Sequence, residues 1–472
     1  MNYINSKVVK ASLNHYNRLS NTSDEATLVN LSCARISSLA LYVPRNIDID
    51  KMLEEYPPSF NYHRDHFIYI LHLISSIPSK KKDVLENYDG YTPLYSKLLQ
   101  KRNKNYKKYL NYLRERGVIR RSSHYIPGEK SYGYKFTESF NSPVTPVVIR
   151  KYTLIKSITK NNEQHNSKKT EELFFLRQWF NPKLQVNISK GRRYLKREYK
   201  KDLRNHIENP IQRYNSRLLP LLKLHGNNYD FHADNKGFRL HTILTQLKSE
   251  LRKHVKYDSK NLCAVDIKNS QPFLSITLLS KDKFILNKMN LKIQNPNISN
   301  ESILNLIEDI ENKADVIEFK KLVSSGQFYE EFGKLLIEQG IIENEDQSSM
   351  RKKAKEITFS TLFSPNTSIS YNKAIKVFKS NFPNVYKVFK LIKKGRKRHN
   401  TLAIALQRLE AELVLEKTCK IINVLYPNIP LFTLHDSIIT IEEHVGKVEL
   451  IMRSVLSKQI GITPNLKLEP WT

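Results

Sequence analysis

The sequence predicts a mixed α+β fold, in which an antiparallel sheet is interrupted by a long helical insertion and preceded by a mostly helical region. Two apolar runs, residues 261–266 and 430–440, have the pattern of strands. The section between them is mostly helical in pattern, with polar breaks at residues 295–300 and 343–347. Strands at both ends of a region, with helices between them, indicate one sheet split by an insertion.

Composition narrows the class of protein. The chain has 472 residues, of which 40% are hydrophobic, which is enough for about two to four folded domains. No uncharged apolar stretch is long enough for a membrane span, and the N-terminus carries Asp24 and Glu25 without an apolar segment, so neither an anchor nor a signal peptide is expected. Cys33, Cys263 and Cys419 lack metal-ligand spacing, which indicates reduced thiols in a cytosolic compartment. The small size and the winged-helix-like unit described below suggest a bacterial, phage or mobile-element host, with an organelle as the alternative.

Positive charge is the strongest compositional signal. The formal net charge is +32, and basic runs are spread along the chain, at residues 80–82, 101–102, 192–193 and 393–398. A single basic run is often only a solvated surface, but several runs interleaved with 25 Tyr and 20 Phe favour a nucleic-acid partner. Lys and Arg would contact phosphates, and aromatic rings can stack on bases.

The N-terminal part contains one recognisable pattern, over residues 91–138. The expected elements are helices over 91–99 and 105–116, strands over 118–121 and 132–136, and a turn at Pro127-Gly128. Gly117 is expected to end the second helix, and residues 139–170 have the composition of a linker. Two helices followed by a basic hairpin resemble a winged helix. Its second helix would present cations to DNA, namely Lys104, Lys107, Lys108, Arg114 and Arg116. The alternative is a small domain that only packs on its neighbour.

Two carboxylates stand where strands are expected to end. The apolar run of residues 262–265 leads directly into Asp266, and residues 431–440 have the pattern of a hairpin with a turn at His435-Asp436. Either Asp alone is more often a cap or a turn residue. Two of them on adjacent strands could share two divalent ions and promote phosphoryl transfer. Mg²⁺ suits such a site because it prefers hard oxygen ligands, and Mn²⁺ is an alternative.

A helix between the two carboxylates carries a stripe of cations and rings. Arg351, Lys355, Phe359 and Phe363 recur every four residues within 348–364, so they share one face. The stripe is about 18 Å long at 1.5 Å per residue, which is close to the span of an extended nucleoside triphosphate. Cations would meet the phosphates, and rings would meet the sugar and base. The alternative is an amphipathic helix with its Phe residues in a core.

Together these parts resemble family-A DNA polymerases and the related single-subunit RNA polymerases, over about residues 230–472. Residues 264–266 resemble motif A, residues 351–363 resemble the fingers helix of motif B, and residues 434–436 resemble motif C, in the family's order and with its wide gaps. Further similar stretches are residues 236–241, 325–329, 400–416 and 466–471.

The resemblance implies a role for each matching residue. Asp266, Asp436 and the backbone carbonyl of Ile267 would bind two Mg²⁺ ions. Arg351 and Lys355 would hold the triphosphate, with Lys355 donating a proton to the pyrophosphate. Phe359 and Phe363 would line the sugar and base pocket. The primer terminus or template would be contacted by Arg239, Gln407, Arg408 and His435.

Several residues depart from the family's pattern, and they bear on whether the site selects a deoxyribose or a ribose in the nucleotide. Gln271 stands where the DNA polymerases have a Glu that excludes the ribose 2′-hydroxyl, and Phe363 stands where a Tyr is usual. Ser437 matches the single-subunit RNA polymerases, and Ser360 and Ser364 replace expected glycines. The predicted partners are therefore a DNA primer–template and deoxynucleoside triphosphates, with ribonucleotides as alternative substrates.

The resemblance implies a right-hand polymerase with an antiparallel-sheet palm and helical fingers. The expected regions are 1–150 (N-terminal, winged-helix-like and nucleic-acid-binding), 151–229 (linker and thumb-like helices), 230–280 (first part of the palm), 281–399 (fingers) and 400–472 (second part of the palm). The expected activity is DNA-directed DNA synthesis without proofreading, since no Asp-x-Glu exonuclease pattern lies in a plausible N-terminal strand. The alternatives are an RNA polymerase or primase, a catalytically silent DNA-binding replication initiator, and a nuclease, which would also need paired acids but not the stripe from Arg351 to Phe363. Protein partners are not predicted.

Overall fold

A computed structural model describes residues 37–80, 84, 88–123, 131–164, 168–343 and 346–472. It is 59% helix and 13% strand, and each strand pair described is antiparallel. The predicted α+β class with antiparallel sheets is therefore confirmed. Within these residues no helix is both long and apolar enough to cross a membrane. Cys33 and the turn predicted at Pro127-Gly128 lie outside the described residues.

The strands are β1 (Leu39–Pro44), β2 (Thr92–Pro93), β3 (Ile119–Arg121), β4 (Gly133–Phe136), β5 (Val144–Ile149), β6 (Leu184–Val186), β7 (Phe231–Ala233), β8 (Leu240–Thr242), β9 (Val255–Tyr257), β10 (Lys260–Ile267), β11 (Phe432–Leu434), β12 (Ser437–Ile441) and β13 (Leu466–Pro470).

The helices up to residue 286 are α1 (Ile49–Glu55), α2 (Arg64–Lys80), α3 (Ser96–Arg102), α4 (Tyr106–Glu115), α5 (Tyr152–Gln164), α6 (Lys168–Glu172), α7 (Phe174–Arg177), α8 (Ile188–Arg204), α9 (Pro210–His225), α10 (Ile243–Gln246), α11 (Ser270–Leu274) and α12 (Lys281–Leu286). The later helices are α13 (Met289–Lys292), α14 (Asn300–Ile310), α15 (Ala314–Ser325), α16 (Phe328–Glu338), α17 (Gln347–Phe363), α18 (Lys373–Asn381), α19 (Pro383–Ile392), α20 (Thr401–Ala411), α21 (Lys420–Leu425) and α22 (Val445–Ile460). A π-helical segment, Glu412–Cys419, joins α20 to α21.

Strand β10 is the centre of the largest sheet. The strand order is β11-β12-β10-β9-β6, and β13 pairs with β10 as well. Alternate residues of β10 enter different cores, with Leu262 and Ala264 packed in one and Cys263 and Val265 in the other. Burial on both faces explains why this strand is apolar throughout. The strands predicted around residues 261–266 and 430–440 are confirmed, whereas β6 and β9 were not predicted.

The helical section predicted between β10 and β11 is also confirmed. Its helices α14 to α19 pack around a cluster of buried phenylalanines, whose members include Phe319, Phe328, Phe332, Phe378, Phe382 and Phe389. Ring contacts such as Phe319 to Phe328, with centroids 5.3 Å apart, hold these helices together. These phenylalanines belong to the same core as Cys263 and Val265 of β10, so the insertion packs continuously with the sheet and supports α17.

Both ends of α17 are fixed by side chains. The Asp346 carboxylate accepts hydrogen bonds from the backbone amides of Ser348 and Ser349 at the helix start. At the other end the buried Lys393 ammonium donates to the carbonyls of Thr361 and Ser364, at 2.8 and 3.1 Å. Burial lowers the pKa of Lys393 to about 8. The helix is thus held in one position along its axis.

The N-terminal elements match the predicted pattern in part. Helix α4 and strands β3 and β4 lie where they were expected, but the first helix begins at Ser96, because Thr92 and Pro93 form a short strand paired with β4. The prediction of a linker over residues 139–170 is wrong. Strand β5 pairs along its whole length with β1, and α5 follows it, with Leu154 and Ile155 buried in the N-terminal core.

Candidate active site

Asp266 and Asp436 come together through strand register. Asp266 lies opposite Ser437 in the pairing of β10 with β12, and the two-residue turn His435-Asp436 joins β11 to β12. His435 has a φ of 56°, in the left-handed region typical of a tight hairpin turn. The turn therefore holds the Asp436 carboxylate beside the end of β10.

The electrostatics of the two carboxylates show their proximity. Burial, and then the charge of Asp436, raise the pKa of Asp266 to about 7. Burial likewise raises the pKa of Asp436. The positive charge of Lys355 on α17 opposes both rises. Two partly buried acids that resist ionisation, with a cation nearby, form a site that favours a bound divalent cation.

The donor set suits a hard cation held mainly by its substrate. In the described part of the chain no third His, Cys, Asp or Glu joins the pair in a metal-binding group, so the remaining ligands would be phosphates and water, as is usual for Mg²⁺. The turn after β10 and the start of α11 also contain buried polar atoms without hydrogen-bond partners in the described chain. They include both side-chain amide atoms of Asn269 and Oε1 of Gln271. A bound polar ligand could supply these missing partners.

Helix α17 presents the stripe expected from the sequence. Lys355 is exposed and forms no ion pair within the described residues. Its Nζ lies 5.6 Å from the centroid of the Phe359 ring. The Phe359 and Phe363 rings are stacked, with centroids 5.7 Å apart, and both are half-buried against the core of the insertion. The predicted cation and ring face therefore exists, and the rings serve packing as well.

Arg351 has partners of its own at the start of the stripe. Its guanidinium forms an ion pair with Glu330 and lies 5.3 Å from the centroid of the Tyr329 ring. Both partners belong to α16, near the predicted stretch 325–329. Arg351 would have to exchange Glu330 for a phosphate in order to hold a triphosphate.

A buried network lies beside the two carboxylates. Arg239 donates two hydrogen bonds to Glu410, at 2.8 and 3.0 Å, and Gln271 Nε2 donates to the same carboxylate at 2.5 Å. Glu410 is 1% exposed. Burial raises its pKa to about 7; the Arg239 charge opposes the rise, and the Asp436 charge adds to it. Arg239 and Gln271, both predicted to contact substrates, are thus held in place by an acid that the sequence does not single out.

The predicted primer-side residues gather around the β7–β8 turn. The Asp234 carboxylate accepts hydrogen bonds from the backbone amides of Lys236, Gly237 and Arg239. A side chain at Gly237 would collide with Gln407, because its Cβ would lie 2.7 Å from the Gln407 amide oxygen. Arg408 Nε donates to the Lys236 carbonyl at 2.7 Å. This last contact gives Arg408 a structural role in holding the turn.

His435 lies on the same side of the site. Its ring centroid is 6.1 Å from that of His241. Desolvation, and then the charge of Arg239, lower the pKa of His435 to about 4. The imidazole is therefore neutral at pH 7 and can act as a hydrogen-bond donor or acceptor.

Sequence reasoning missed two further cations at the pair. Lys467 lies opposite Asp266 in the pairing of β10 with β13. Arg252, on the 3₁₀ helix Ser249–His254, lies near enough to Asp266 for that carboxylate to affect the pKa of Arg252, and near enough to His435 to lower the pKa of the imidazole. The Arg252 Nε is buried without a partner in the described chain. Only the register of β13 and the fold of residues 249–254 bring these cations to the site.

Helix α8 forms a basic rail next to this region. Its exposed cations are Lys190, Arg192, Arg193, Lys196, Arg197, Lys200, Lys201 and Arg204. Its two acids turn inward, where Glu198 pairs with Lys248 and Asp202 pairs with Arg213 and Arg217. The rail is about 26 Å long at 1.5 Å per residue. It begins beside the 3₁₀ helix that carries Arg252.

We expect Arg239→Ala to lower the free energy of unfolding by about 3 kcal/mol at pH 8, because it leaves the buried Glu410 charge without its partner. The raised pKa of Glu410 sets the pH dependence. In the folded protein Glu410 takes up a proton as the pH falls below about 7, so the deficit should shrink at pH 5.5. Urea unfolding at pH 8 and at pH 5.5 measures this loss of unfolding free energy. The exposed Arg396→Ala variant is the control. An equal deficit at both pH values would contradict this assignment.

No protein-family model matches the chain, and no curated protein is significantly similar to it in sequence. What the site can do must therefore be judged from its residues and their geometry. Those residues combine paired carboxylates, a cationic helix and a polar network, all at one end of strand β10.

Proposed function

We propose that the chain is a template-dependent nucleotidyltransferase, and specifically a DNA-directed DNA polymerase of family-A type without proofreading. One observation carries the proposal, namely the strand register that sets Asp436 beside Asp266 with Lys355 of α17 in electrostatic range of both. In this proposal the β10 sheet is the palm, the insertion that contains α17 is the fingers, and helices α8 and α9 are thumb-like.

The residues at the end of β10 fit two divalent ions. Asp266, Asp436 and the carbonyl of Ile267 would hold two Mg²⁺ ions, or Mn²⁺ ions. When bound, such ions activate an attacking hydroxyl and stabilise a leaving oxygen. The two acids must be ionised to bind them. Because the pKa of Asp266 is raised to about 7, protons and metal should compete at this site near neutral pH.

The chain's own groups complete the transfer. The primer 3′-hydroxyl gives its proton to a water molecule and forms a bond to the α-phosphorus, while the bond from that phosphorus to the pyrophosphate oxygen breaks. Lys355 would neutralise the leaving pyrophosphate and donate a proton to it. Arg351 would grip the outer phosphates after leaving Glu330, and the Phe359–Phe363 stack would support the sugar and base.

The charge distribution supports a nucleic-acid substrate that extends from the site. The α8 rail has the length of several nucleotides, and its own acids are paired with Lys248, Arg213 and Arg217. Arg252, on the 3₁₀ helix that adjoins the start of the rail, and His435 would lie near the primer terminus. Such a track binds phosphates without regard to sequence, as a polymerase requires. A cytoplasmic location is part of the same proposal.

Gln271 favours a second candidate, an RNA polymerase or primase. The amide is fixed through Nε2 by Glu410, and its Oε1 has no partner among the described residues. An unpaired acceptor does not repel a ribose 2′-hydroxyl, and it could accept a hydrogen bond from it. The same carbonyl would contribute nothing to a deoxyribose at that position.

The proposal is tested by extension of a labelled DNA primer on a DNA template with Mg²⁺. Running the reaction with either deoxynucleotides or ribonucleotides separates the two candidates. We expect templated extension with deoxynucleotides, together with measurable ribonucleotide incorporation. Equal or better use of ribonucleotides would replace the DNA polymerase with the RNA polymerase or primase. No extension with either sugar, in Mg²⁺ or Mn²⁺, would leave a catalytically silent DNA-binding initiator.

A further inference from the structure

Helix α4 has an outward surface of basic and polar side chains. This surface, called the α4 basic face below, consists of the exposed residues Lys104, Lys107, Lys108, Asn111 and Arg114. They recur at intervals of three and four residues, so they share one side of the helix and its approach. Glu115, at the C-terminal end of α4, is the helix's single acid. No salt bridge of the described chain involves the cations of this face.

The opposite side of α4 is anchored firmly. Tyr109 and Tyr112 pack on Phe67 of α2, with ring centroids 4.5 and 5.1 Å away. The Tyr112 hydroxyl donates to the Tyr56 carbonyl at 2.6 Å, and the Tyr109 hydroxyl accepts from the backbone amide of His63 at 3.0 Å. The basic face is therefore presented by a rigid helix, which lowers the entropy cost of docking it.

The neighbouring elements leave this face open. Helices α3 and α4 are joined by the short connection 103–105, and α4 is followed by the β3–β4 hairpin. In such an arrangement the second helix protrudes. Strand β3 adds the exposed Arg120 and Arg121, the latter 4.4 Å from the centroid of the Tyr132 ring. Cations thus surround the helix at its C-terminal end too.

We propose that the α4 basic face binds B-form duplex DNA in the major groove, at a site separate from the cleft of Asp266 and Asp436. A helix fits this groove, which is about 12 Å wide. Asn111 lies mid-helix, and Arg114 Nη1 donates to its Oδ1 at 3.4 Å. These two residues can read base edges, since Asn pairs with adenine and Arg with guanine. Lys107 and Lys108 would contact the flanking phosphates.

The chemistry of the face selects duplex DNA over other polyanions. A membrane-bound helix needs exposed apolar side chains, and this face has none. Duplex RNA has a major groove that is too deep and narrow for a helix to read. The helix that carries this face packs its buried side in the N-terminal core. That core is distinct from the two cores that flank strand β10. The proposal therefore does not depend on the proposed polymerase activity.

The test is fluorescence anisotropy of the full chain with a blunt 20-base-pair DNA duplex over a range of salt concentrations. For Lys107→Glu/Lys108→Glu/Arg114→Glu we expect affinity to fall by about 100-fold or more at 0.1 M salt. The slope of log affinity against log salt should become shallower by about three. The matched control, Lys313→Glu/Lys321→Glu/Lys458→Glu, changes the net charge equally at exposed positions outside this face and should lose less than about threefold.

Further variants and measurements make the result interpretable. If Lys107→Glu/Lys108→Glu/Arg114→Glu lowers the melting temperature, the neutral Lys107→Gln/Lys108→Gln/Arg114→Gln variant replaces it. We then expect a smaller loss of DNA affinity in the same direction. Asn111→Ala should alter sequence preference among random duplexes and leave the salt slope unchanged. Primer extension on a short primer–template should be unaffected by the reversal. An equal loss in the control variant, or equal binding of the matching duplex RNA, would overturn the proposal.

Discussion

Asp266→Asn is expected to abolish nucleotidyl transfer while making the metal-free protein more stable. Loss of one metal-binding carboxylate removes several kcal/mol of transition-state stabilisation, which corresponds to a rate at least about 10³-fold lower. The gain in stability follows from the pKa of Asp266, which burial and the neighbouring Asp436 charge raise to about 7. Ionising Asp266 in the folded protein is therefore unfavourable.

The pH dependence of that gain has a defined sign. For an acid whose pKa is higher in the folded state, stability is lost as the pH rises from the ordinary value through the raised one. Asn cannot ionise, so the variant should be more stable by about 2 kcal/mol at pH 8 and no more stable at pH 4. Urea unfolding without metal measures this difference in stability between the variant and the wild type. Added Mg²⁺ should stabilise the wild type but not the variant. Asp309→Asn, an exposed carboxylate on α14, is the control.

A different outcome would separate a structural acid from a functional one. If Asp266 were held by a stabilising hydrogen bond, Asp266→Asn would lower stability at pH 8. If it were a solvated strand-end residue, neither stability nor rate would change. Loss of activity together with a gain in metal-free stability is expected only where function requires two unfavourable charges in one place.

Lys355→Met is expected to slow nucleotide addition by about 10²- to 10³-fold with little effect on folding. The side chain is exposed and unpaired within the described chain, so its removal costs little packing. It removes both a charge that faces the leaving phosphates and a proton donor, and general acid catalysis alone contributes about 10²- to 10⁴-fold. Single-turnover primer extension measures the effect, with the exposed Lys321→Met of α15 as control.

The Lys355→Arg variant separates the role of charge neutralisation from that of proton donation. Lys355→Arg keeps the positive charge but cannot readily give up a proton, because the guanidinium remains charged above pH 12. We expect it to restore nucleotide binding, seen in the apparent KM, but not the rate of addition. Full recovery of the rate would assign Lys355 to charge neutralisation only. An unchanged rate in Lys355→Met would place the phosphates elsewhere.

The site's main parts could be predicted because their signals are local. The apolar run into Asp266 and the hairpin pattern around His435-Asp436 each lie within ten residues of sequence. The fourfold spacing from Arg351 to Phe363 identifies a helix face without any knowledge of the fold. In these stretches secondary structure alone decides where the side chains point, so the pattern and the structure agree.

The missing parts depend on contacts between distant segments. Glu410 has the sequence context of an ordinary helix residue, yet it is buried because Arg239, 171 positions away, reaches its carboxylate. The sequence of strand β5 has the pattern of a linker, because its partner β1 lies about a hundred residues earlier and Pro146 weakens its strand pattern. Lys467 enters the site only through the pairing of β13 with β10. None of these contacts has a signal in the local sequence.

The most direct test of the central claim compares the wild type with Asp436→Asn in templated primer extension with Mg²⁺ and all four deoxynucleotides. Asp436 lies in the turn between β11 and β12, so the nearly isosteric Asn should preserve the fold, which circular dichroism and the melting temperature can verify. The account predicts template-directed extension and pyrophosphate release by the wild type, and loss of both by at least about 10³-fold in the variant. Extension at similar rates by both proteins, or none by the wild type in Mg²⁺ or Mn²⁺, would contradict it.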